Sequence, residues 1–412
     1  MPTFHYRSGR LFCESLALDA LARRFHTPLY VYSASAVLEN FRRLRRRLAA
    51  IPSLICYSVK ANSNLSILSL LGRARAGFDI VSGGELARLQ KVGARPDRIV
   101  YSGVGKTAEE VDRAIGAGIL MFNVESAGEL ELVEGRARHL RRRASVALRV
   151  NPDVEAETHP YVATGRVIHK FGVPRAHALE LYRRAAGSEH LRVRGVACHI
   201  GSQILSVTPF RKALGEILEI ADALGHDGIR IEFLDLGGGF GVRYRRERPL
   251  DTQRLAAALV GTLRSEPYTL ILEPGRALVA EAGVLLTRVL YVKGNGQKNF
   301  IVVDAGMNDL LRPALYGAYH EIVPLTRRRG KIHADVVGPL CETGDFLARD
   351  RLLPALCPGD LVAVMTVGAY GFAQASNYNS RPRPAEVLVR GGRAKLSRAR
   401  ESLKDLMAGE II

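Results

Sequence analysis

Cysteine is scarce in this chain, and its few copies have no arrangement that would build a scaffold. Five occur in 412 residues (Cys13, Cys56, Cys198, Cys341 and Cys357), an odd number with no C-x-x-C pair. That argues against a disulfide framework or a structural zinc site, and it fits a chain held in a reducing, cytoplasmic compartment. No stretch approaches the roughly 20 apolar residues of a membrane-spanning helix, so no membrane association is expected. Met1 to Arg10 lacks the basic start and apolar core of a signal peptide, so export is not expected either. His159, His320 and His333 show no metal-ligand spacing. Repeats, low-complexity tracts and long linkers are missing as well.

Acidic residues are the other shortage: 41 Asp and Glu against 59 Lys and Arg give a formal charge of +18. Such a balance can recruit nucleic acid or anionic small molecules. The basic runs at Arg42 to Arg47, Arg141 to Arg143 and Arg327 to Arg329 are not interleaved with aromatics, and no nucleic-acid module signature accompanies them. Solvated, arginine-rich helix faces are the preferred reading, with no nucleic-acid partner. A hydrophobic content of 47% and a charged content of 24% are ordinary for a globular protein. The length exceeds what one core usually supports, so two domains are expected.

From Leu54 to Glu273 apolar strands alternate with helical periods. Candidate strands are Leu54–Ser58, Gly77–Val81, Arg98–Ser102, Ile119–Asn123, Ser145–Val150, Val193–His199, Arg230–Leu236 and Thr269–Glu273, with helical spacing in segments such as Gly84 to Val92 and Phe210 to Leu224. Eight such units predict an α/β fold, a parallel sheet closed into a (β/α)8 TIM-type barrel. An open doubly wound sheet would give the same local pattern. Closure is favoured because candidate polar groups follow strands one, six, seven and eight, whose ends meet on one face of a barrel. After about Arg276 the texture changes to strands at Val284–Val292, Asn299–Val303, Ala334–Val337 and Asp360–Val364, separated by turns such as Pro358-Gly-Asp360. This second domain is expected to be mostly β, sandwich- or barrel-like. Leu29-Tyr-Val-Tyr32 reads as a strand that joins it. The expected division is a barrel over residues 35–285 and a discontinuous β domain from 1–34 with 286–412.

Lys60 stands at the end of the first candidate barrel strand, in Tyr57-Ser-Val-Lys-Ala-Asn62. Desolvation there would lower an amine's pKa and free it to form a Schiff base; an exposed lysine just past a strand is the plainer alternative. His199, in Cys198-His-Ile-Gly-Ser-Gln203, could stack on a flat aromatic cofactor, and Ser202 offers a phosphate donor; a hydrogen-bonded histidine at a barrel mouth is equally compatible. Gly237-Gly-Gly-Phe-Gly241 would let backbone amides approach a phosphate, or it is simply a tight turn. Glu273-Pro-Gly-Arg276 is more specific, because a carboxylate beside a pyridine nitrogen keeps that nitrogen protonated and the ring electron-accepting. A structural Glu273–Arg276 ion pair is its alternative.

Two further motifs need weighing. Gly103-Val-Gly-Lys-Thr-Ala108, with Glu125 downstream, has the look of a dinucleotide fingerprint or a phosphate loop. It lies after two strand-helix units, and the first glycine of a phosphate loop would fall at Val100, so neither is expected. Cys341-Glu-Thr-Gly-Asp345 places a thiol among carboxylates, where negative charge disfavours the thiolate; a neutral thiol there could still deliver a proton. Gly368-Ala-Tyr370-Gly and the turn-rich run from Ser376 to Pro384 make a long stretch of the kind that usually carries function.

Taken together, Tyr57-Ser-Val-Lys-Ala-Asn62, Phe78-Asp-Ile-Val-Ser-Gly-Gly-Glu85, His199-Ile-Gly-Ser-Gln203, Glu273-Pro-Gly-Arg276, Asn308-Asp-Leu-Leu-Arg312-Pro-Ala-Leu-Tyr316, Cys341-Glu342 and Gly368-Ala-Tyr370-Gly resemble the fold-type III pyridoxal-phosphate decarboxylases, and within them the diaminopimelate decarboxylases. The likeness runs from about Leu29 to Leu388 with order and spacing kept. It implies pyridoxal 5'-phosphate as cofactor, attached to Lys60, with His199 packed on its ring and Glu273 holding the ring-nitrogen proton. Ser202, Gly239, Gly275, Arg276 and Tyr370 would surround the phosphate. Arg276, Arg312, Tyr316, Glu342 and Tyr370 would contact substrate, and Cys341 would donate a proton across the interface of a head-to-tail homodimer. No chemical position departs from the family pattern; Phe240 in the glycine loop is ordinary variation.

The activity implied is decarboxylation of meso-2,6-diaminopimelate to L-lysine and carbon dioxide, the last step of lysine biosynthesis. Arg312 and Arg276 suit a distal carboxylate and Glu342 the ammonium beside it, whereas a diamine-forming decarboxylase needs no distal arginines. The alternatives are an ornithine, arginine or carboxyspermidine decarboxylase of the same fold, a racemase, which would need an opposed base, and a catalytically dead regulatory homologue, against which Lys60 and Cys341 stand.

Overall fold

The structure is a computed structural model and describes residues 3–154 and 171–412; His159 lies outside them. The chain forms two compact units, one of residues 40–242 with 248–277, the other of 1–39, 243–247 and 278–412.

In the first unit, eight parallel strands close on themselves: Ser53–Ser58, Gly77–Ile80, Ile99–Tyr101, Met121–Val124, Ala144–Asn151, Leu191–Ala197, Phe233–Asp235 and Thr269–Leu272. Leu270↔Ser53 and Leu272↔Ile55 register the last strand against the first, so the expected (β/α)8 barrel is what forms. Its strands read as near-continuous apolar runs because helices cover the outside while a second set of side chains fills the inside. Leu54, Cys56, Val100, Met121, Ala147, Ala197 and Ile271, drawn from six of the strands, pack as one interior cluster. The helices stop and start where the sequence supplies caps: Thr107 and Glu110 form a capping box, and Asn64, Ser82 and Ser126 each accept a backbone N–H at a helix start.

The second unit is built on a mixed nine-stranded sheet. Its central strand, Gly283–Gly294, changes partners along its length, pairing with Leu29–Ser33 and Leu361–Val364 at one end and with Asn299–Val303 at the other. A register shift between Val289 and Tyr291 marks the change. Leu29–Ser33 also pairs in parallel with Ala385–Arg390. Four strands of this sheet were not read from the sequence: Ile322–Pro324, Phe346–Pro354, Ala385–Arg390 and Arg393–Arg398. Short length or an outer face rich in arginine blurs their alternation.

Many arginines end on backbone carbonyls. Arg142 donates to Ile115 and Gly116 at a helix C-terminus, Arg45 to Ala74, Arg98 to Arg75, and Arg400 to Phe25, His26 and Pro28. Each occupies acceptors that the local fold leaves open. No helix among the described residues is long and apolar enough to cross a membrane.

The Gly103–Lys106 segment is structural. Lys106 Nζ is buried, 2.6 Å from Glu129 Oε1, and donates to the carbonyls of Gly103 and Asn123. Glu125 accepts from the N–H groups of Gly103 and Gly172 and from Arg149. Amine and carboxylate thus tie the loops after three strands together and leave no open phosphate cradle. Lys106→Met is expected to destabilise the barrel by about 3 kcal/mol, the usual result of orphaning one partner of a buried pair. Urea unfolding measures it; an unchanged midpoint would remove the pair from the scaffold.

Candidate active site

The first barrel strand ends in a 3-10 turn, Val59–Ala61, which carries Lys60 at the barrel mouth. Lys60 Nζ lies 2.7 Å from Asp79 Oδ2, and Asp79 is fully buried on the neighbouring strand in register with Ser58. The other Asp79 oxygen is buried without a hydrogen-bond partner. Two strand ends away, Asp235 and Glu273 are hydrogen-bonded to each other. Asn123 Nδ2 donates to Asp235 Oδ2 at 2.9 Å, and the Gly237 N–H to Asp235 Oδ1 at 3.0 Å.

Burial sets the electrostatics of this group. It pushes the Glu273 carboxyl well above the usual carboxylate range, with Asp235 and Asp79 adding to the push and Lys60 opposing it. Asp235 is lifted by burial to about 6, against the pull of its hydrogen bonds. Two carboxyls this close resist ionising together, so the shared proton is favoured on Glu273. His199 is pushed the other way: burial, then Arg149 and Lys60, hold its pKa well below the ordinary imidazole value. Its Nδ1 accepts from the Gly238 N–H at 3.1 Å, so the neutral ring carries its proton on Nε2. It is a flat, uncharged ring fixed at one edge.

The glycine loop is zipped to the His199 loop. Ile204 N–H donates to the Gly239 carbonyl and Gly241 N–H to the Ile204 carbonyl, each at 2.9 Å. A Cβ at Gly239, where φ is +91°, would collide with the Gly201 carbonyl. At Gly275 a Cβ would stand 2.9 Å from Ala61 Cβ and 3.1 Å from Ser58 Cβ, so only glycine lets the eighth loop lie against the Lys60 turn. Phe240 is buried edge-on against Phe210, an anchor for the loop. Arg276 NH2 donates to Ser202 Oγ at 3.0 Å. Thus Lys60, His199, Ser202, Gly239, Glu273, Gly275 and Arg276 all stand on the loops after strands one, six, seven and eight.

The β unit carries the remaining sequence candidates. Arg312 opens the short helix Arg312–Tyr316, is 7% exposed, and lies 2.8 Å from His320 Nε2. Tyr316 Oη accepts from Gln374 Nε2. Cys341 is exposed and donates its backbone N–H to Asn379 Oδ1 at 2.9 Å, while Glu342 accepts from Tyr378 Oη at 3.3 Å. Tyr370 has φ +57°, a left-handed conformation that costs energy at a non-glycine residue.

Residues 34–280 match the family model for the pyridoxal binding domain of pyridoxal-dependent decarboxylases. The chain is 51% identical over 413 residues to a diaminopimelate decarboxylase of Pseudomonas aeruginosa, covering 100% of this chain and 99% of that one. It is 49% identical over 404 residues to the enzyme of that name from Aquifex aeolicus, covering 97% and 96%. The chain belongs to the diaminopimelate decarboxylases. Among solved structures of this family, the Helicobacter pylori enzyme complexed with L-lysine superimposes with TM-score 0.92 at 44% identity, covering 95% of this chain and 98% of that one. The M. jannaschii enzyme, also with L-lysine, gives 0.95 at 38% identity, covering 100% and 98%.

The cofactor of a diaminopimelate decarboxylase is pyridoxal phosphate, and the barrel residues fit it. A buried carboxyl that keeps its proton suits a pyridine nitrogen, a neutral imidazole suits the face of the ring, and the glycine turns leave backbone where side chains would stand. Sequence reasoning assigned no role to Asp79, Asp235 or Asn123. The available signal was an acid inside an otherwise apolar strand, as in Gly77-Phe-Asp-Ile80, where an uncompensated charge is costly.

Glu85 near Asp79 is pushed by burial to about 7. Its folded-state pKa lies above the ordinary value of 4.5, so the folded chain holds the extra proton and stability falls as pH rises through that window. In Glu85→Gln the decline between about pH 4.5 and 7 is expected to flatten, read by denaturant unfolding of the holoenzyme at stepped pH.

Proposed function

We propose that the protein decarboxylates meso-2,6-diaminopimelate to L-lysine and carbon dioxide, the last step of lysine biosynthesis, with Lys60, His199 and Cys341 as its catalytic groups. The observation that carries the reading is the buried, hydrogen-bonded Glu273–Asp235 pair at the barrel mouth that also holds Lys60. Pyridoxal phosphate, when bound, supplies the electron sink for the pair left behind by the departing carboxylate.

The side chains do the rest. Lys60 provides the amine that holds the cofactor, and Asp79 orients it between turnovers. Glu273 would give its proton to the ring nitrogen and stand beside it as the carboxylate, with Asp235, held by Asn123, next to it. His199 would pack against the ring as a neutral imidazole, which adds no competing charge. Ser202, Gly239, Gly275 and Arg276 take the phosphate, together with Tyr370, whose strained backbone points to a fixed task. Arg276, Arg312, Tyr316, Glu342 and Tyr370 read the substrate: guanidinium forks pair with carboxylates in a plane, and Glu342 answers an ammonium. Cys341, exposed on its own chain, delivers the proton to a neighbouring subunit of a homodimer. All five thiols are unpaired, which suits work in the cytoplasm.

Lys60→Ala is expected to abolish both turnover and the visible absorption of the bound cofactor; retention of that band would remove Lys60 from its role. Arg312→Ala is expected to raise KM for diaminopimelate by more than about ten-fold, the scale of one lost charge-assisted contact, with cofactor affinity kept. Mixing inactive Lys60→Ala and Cys341→Ala chains is expected to restore about a quarter of wild-type activity, since half of randomly formed two-fold dimers own one intact shared site. No recovery on mixing would make each site the work of one chain.

A further inference from the structure

The β unit holds a three-member cluster of His320, Arg312 and Tyr244, in which only Arg312 has a role by resemblance. His320 is fully buried, and both its ring nitrogens are engaged. Nδ1 lies 2.8 Å from the Met365 carbonyl oxygen, which can only accept, so Nδ1 carries the hydrogen. The neutral ring therefore offers a bare Nε2, and that atom lies 2.8 Å from Arg312 NH1, which can only donate. The tautomer is fixed by the carbonyl, and the acceptor it creates points at a guanidinium. Tyr244 completes the cluster. Its ring stands edge-on to His320, centroids 5.3 Å apart at 84°, and the Arg312 guanidinium carbon lies 4.6 Å from its centroid.

A buried arginine with one edge held by an in-plane acceptor and one face held by an aromatic ring has few orientations left. Nothing negative takes part in these two contacts: the acceptor is a neutral nitrogen and the ring a neutral quadrupole. A carboxylate partner in the same place would neutralise Arg312; these two contacts restrain it without neutralising it.

We propose that His320, with Tyr244, is a positioning residue that sets specificity by holding Arg312 for the distal carboxylate of the substrate. This rests on the reading of Arg312 as a substrate residue given above. His320 touches no reacting atom, so it governs binding of one end of the substrate and leaves the chemical step alone.

Two near-isosteric variants separate the two ring nitrogens. His320→Asn keeps a donor for the Met365 carbonyl and loses the acceptor for Arg312; His320→Gln does the reverse. In the holoenzyme His320→Asn is expected to raise KM for meso-diaminopimelate about ten-fold with kcat within about three-fold, and His320→Gln to restore most of the loss, on the scale of one hydrogen bond to a charged group. The decisive readout is competitive inhibition by L-lysine against 1,5-diaminopentane, which differ by that distal carboxylate alone. His320→Asn weakens lysine and leaves the diamine unchanged. Tyr244→Leu, at a half-buried position, is expected to narrow the same ratio and serves if the histidine variants do not fold. Equal weakening of both ligands, or equal damage in the Asn and Gln variants, overturns the proposal and leaves His320 a packing residue. An unaltered lysine-to-diamine ratio in Arg312→Ala overturns the reading of Arg312 itself, whatever the histidine variants do.

Discussion

The ladder between Thr269–Leu272 and Ser53–Ser58 is the constraint on which the barrel site depends. It joins the last strand to the first and so sets side by side two loops that are more than two hundred residues apart in the chain. Ser58 Oγ donates to the Glu273 carbonyl at 2.8 Å, and Gly275 packs on Ala61 and Ser58 with no room for a side chain. Without closure Lys60 would belong to one edge of a sheet and Glu273 to the other. With it, an amine and a proton-holding carboxyl share a mouth, and the geometry needs no flexible loop to bring them together.

Closure also has a cost that the site turns to use. Asp79, Asp235 and Glu273 are three acids in a dry interior, and the Lys60 amine opposes the upward push on Glu273. A fold selected for stability alone would replace such acids with apolar residues. Here burial first, and the neighbouring charge of Asp235 and Asp79 second, raise the Glu273 carboxyl, and the Asn123 amide keeps Asp235 in hydrogen-bonding order. The raised pKa is a property of the group, and no single residue in it could be read as its source.

That explains which parts were legible in the sequence. The eight barrel strands were, because buried parallel strands announce themselves as apolar runs between helical periods; the helix Thr208–His226 was visible for the same reason. Lys60, His199 and Glu273 stood out as polar residues at strand ends. Asp79 and Asp235 did not, since a single acid inside a short apolar run carries no periodic signal, and its meaning comes only from a neighbour on another strand. His320 was set aside because it has no metal-ligand spacing, and its contacts to Arg312 and Met365 depend on how the β unit folds. In that unit short or bent strands escaped notice, Ile322–Pro324 being three residues long.

The arginine excess, unexplained by any nucleic-acid signature, finds a local account in the carbonyls that Arg45, Arg98, Arg142 and Arg400 serve. Arg400 alone reaches the oxygens of Phe25, His26 and Pro28. A planar, several-pronged donor can bridge carbonyls that diverge; an ammonium, whose charge sits on one atom, cannot span them in the same way. Attempts to recharge this surface for solubility or crystal growth by trading arginine for lysine would therefore loosen loop ends and helix tails while leaving the net charge untouched.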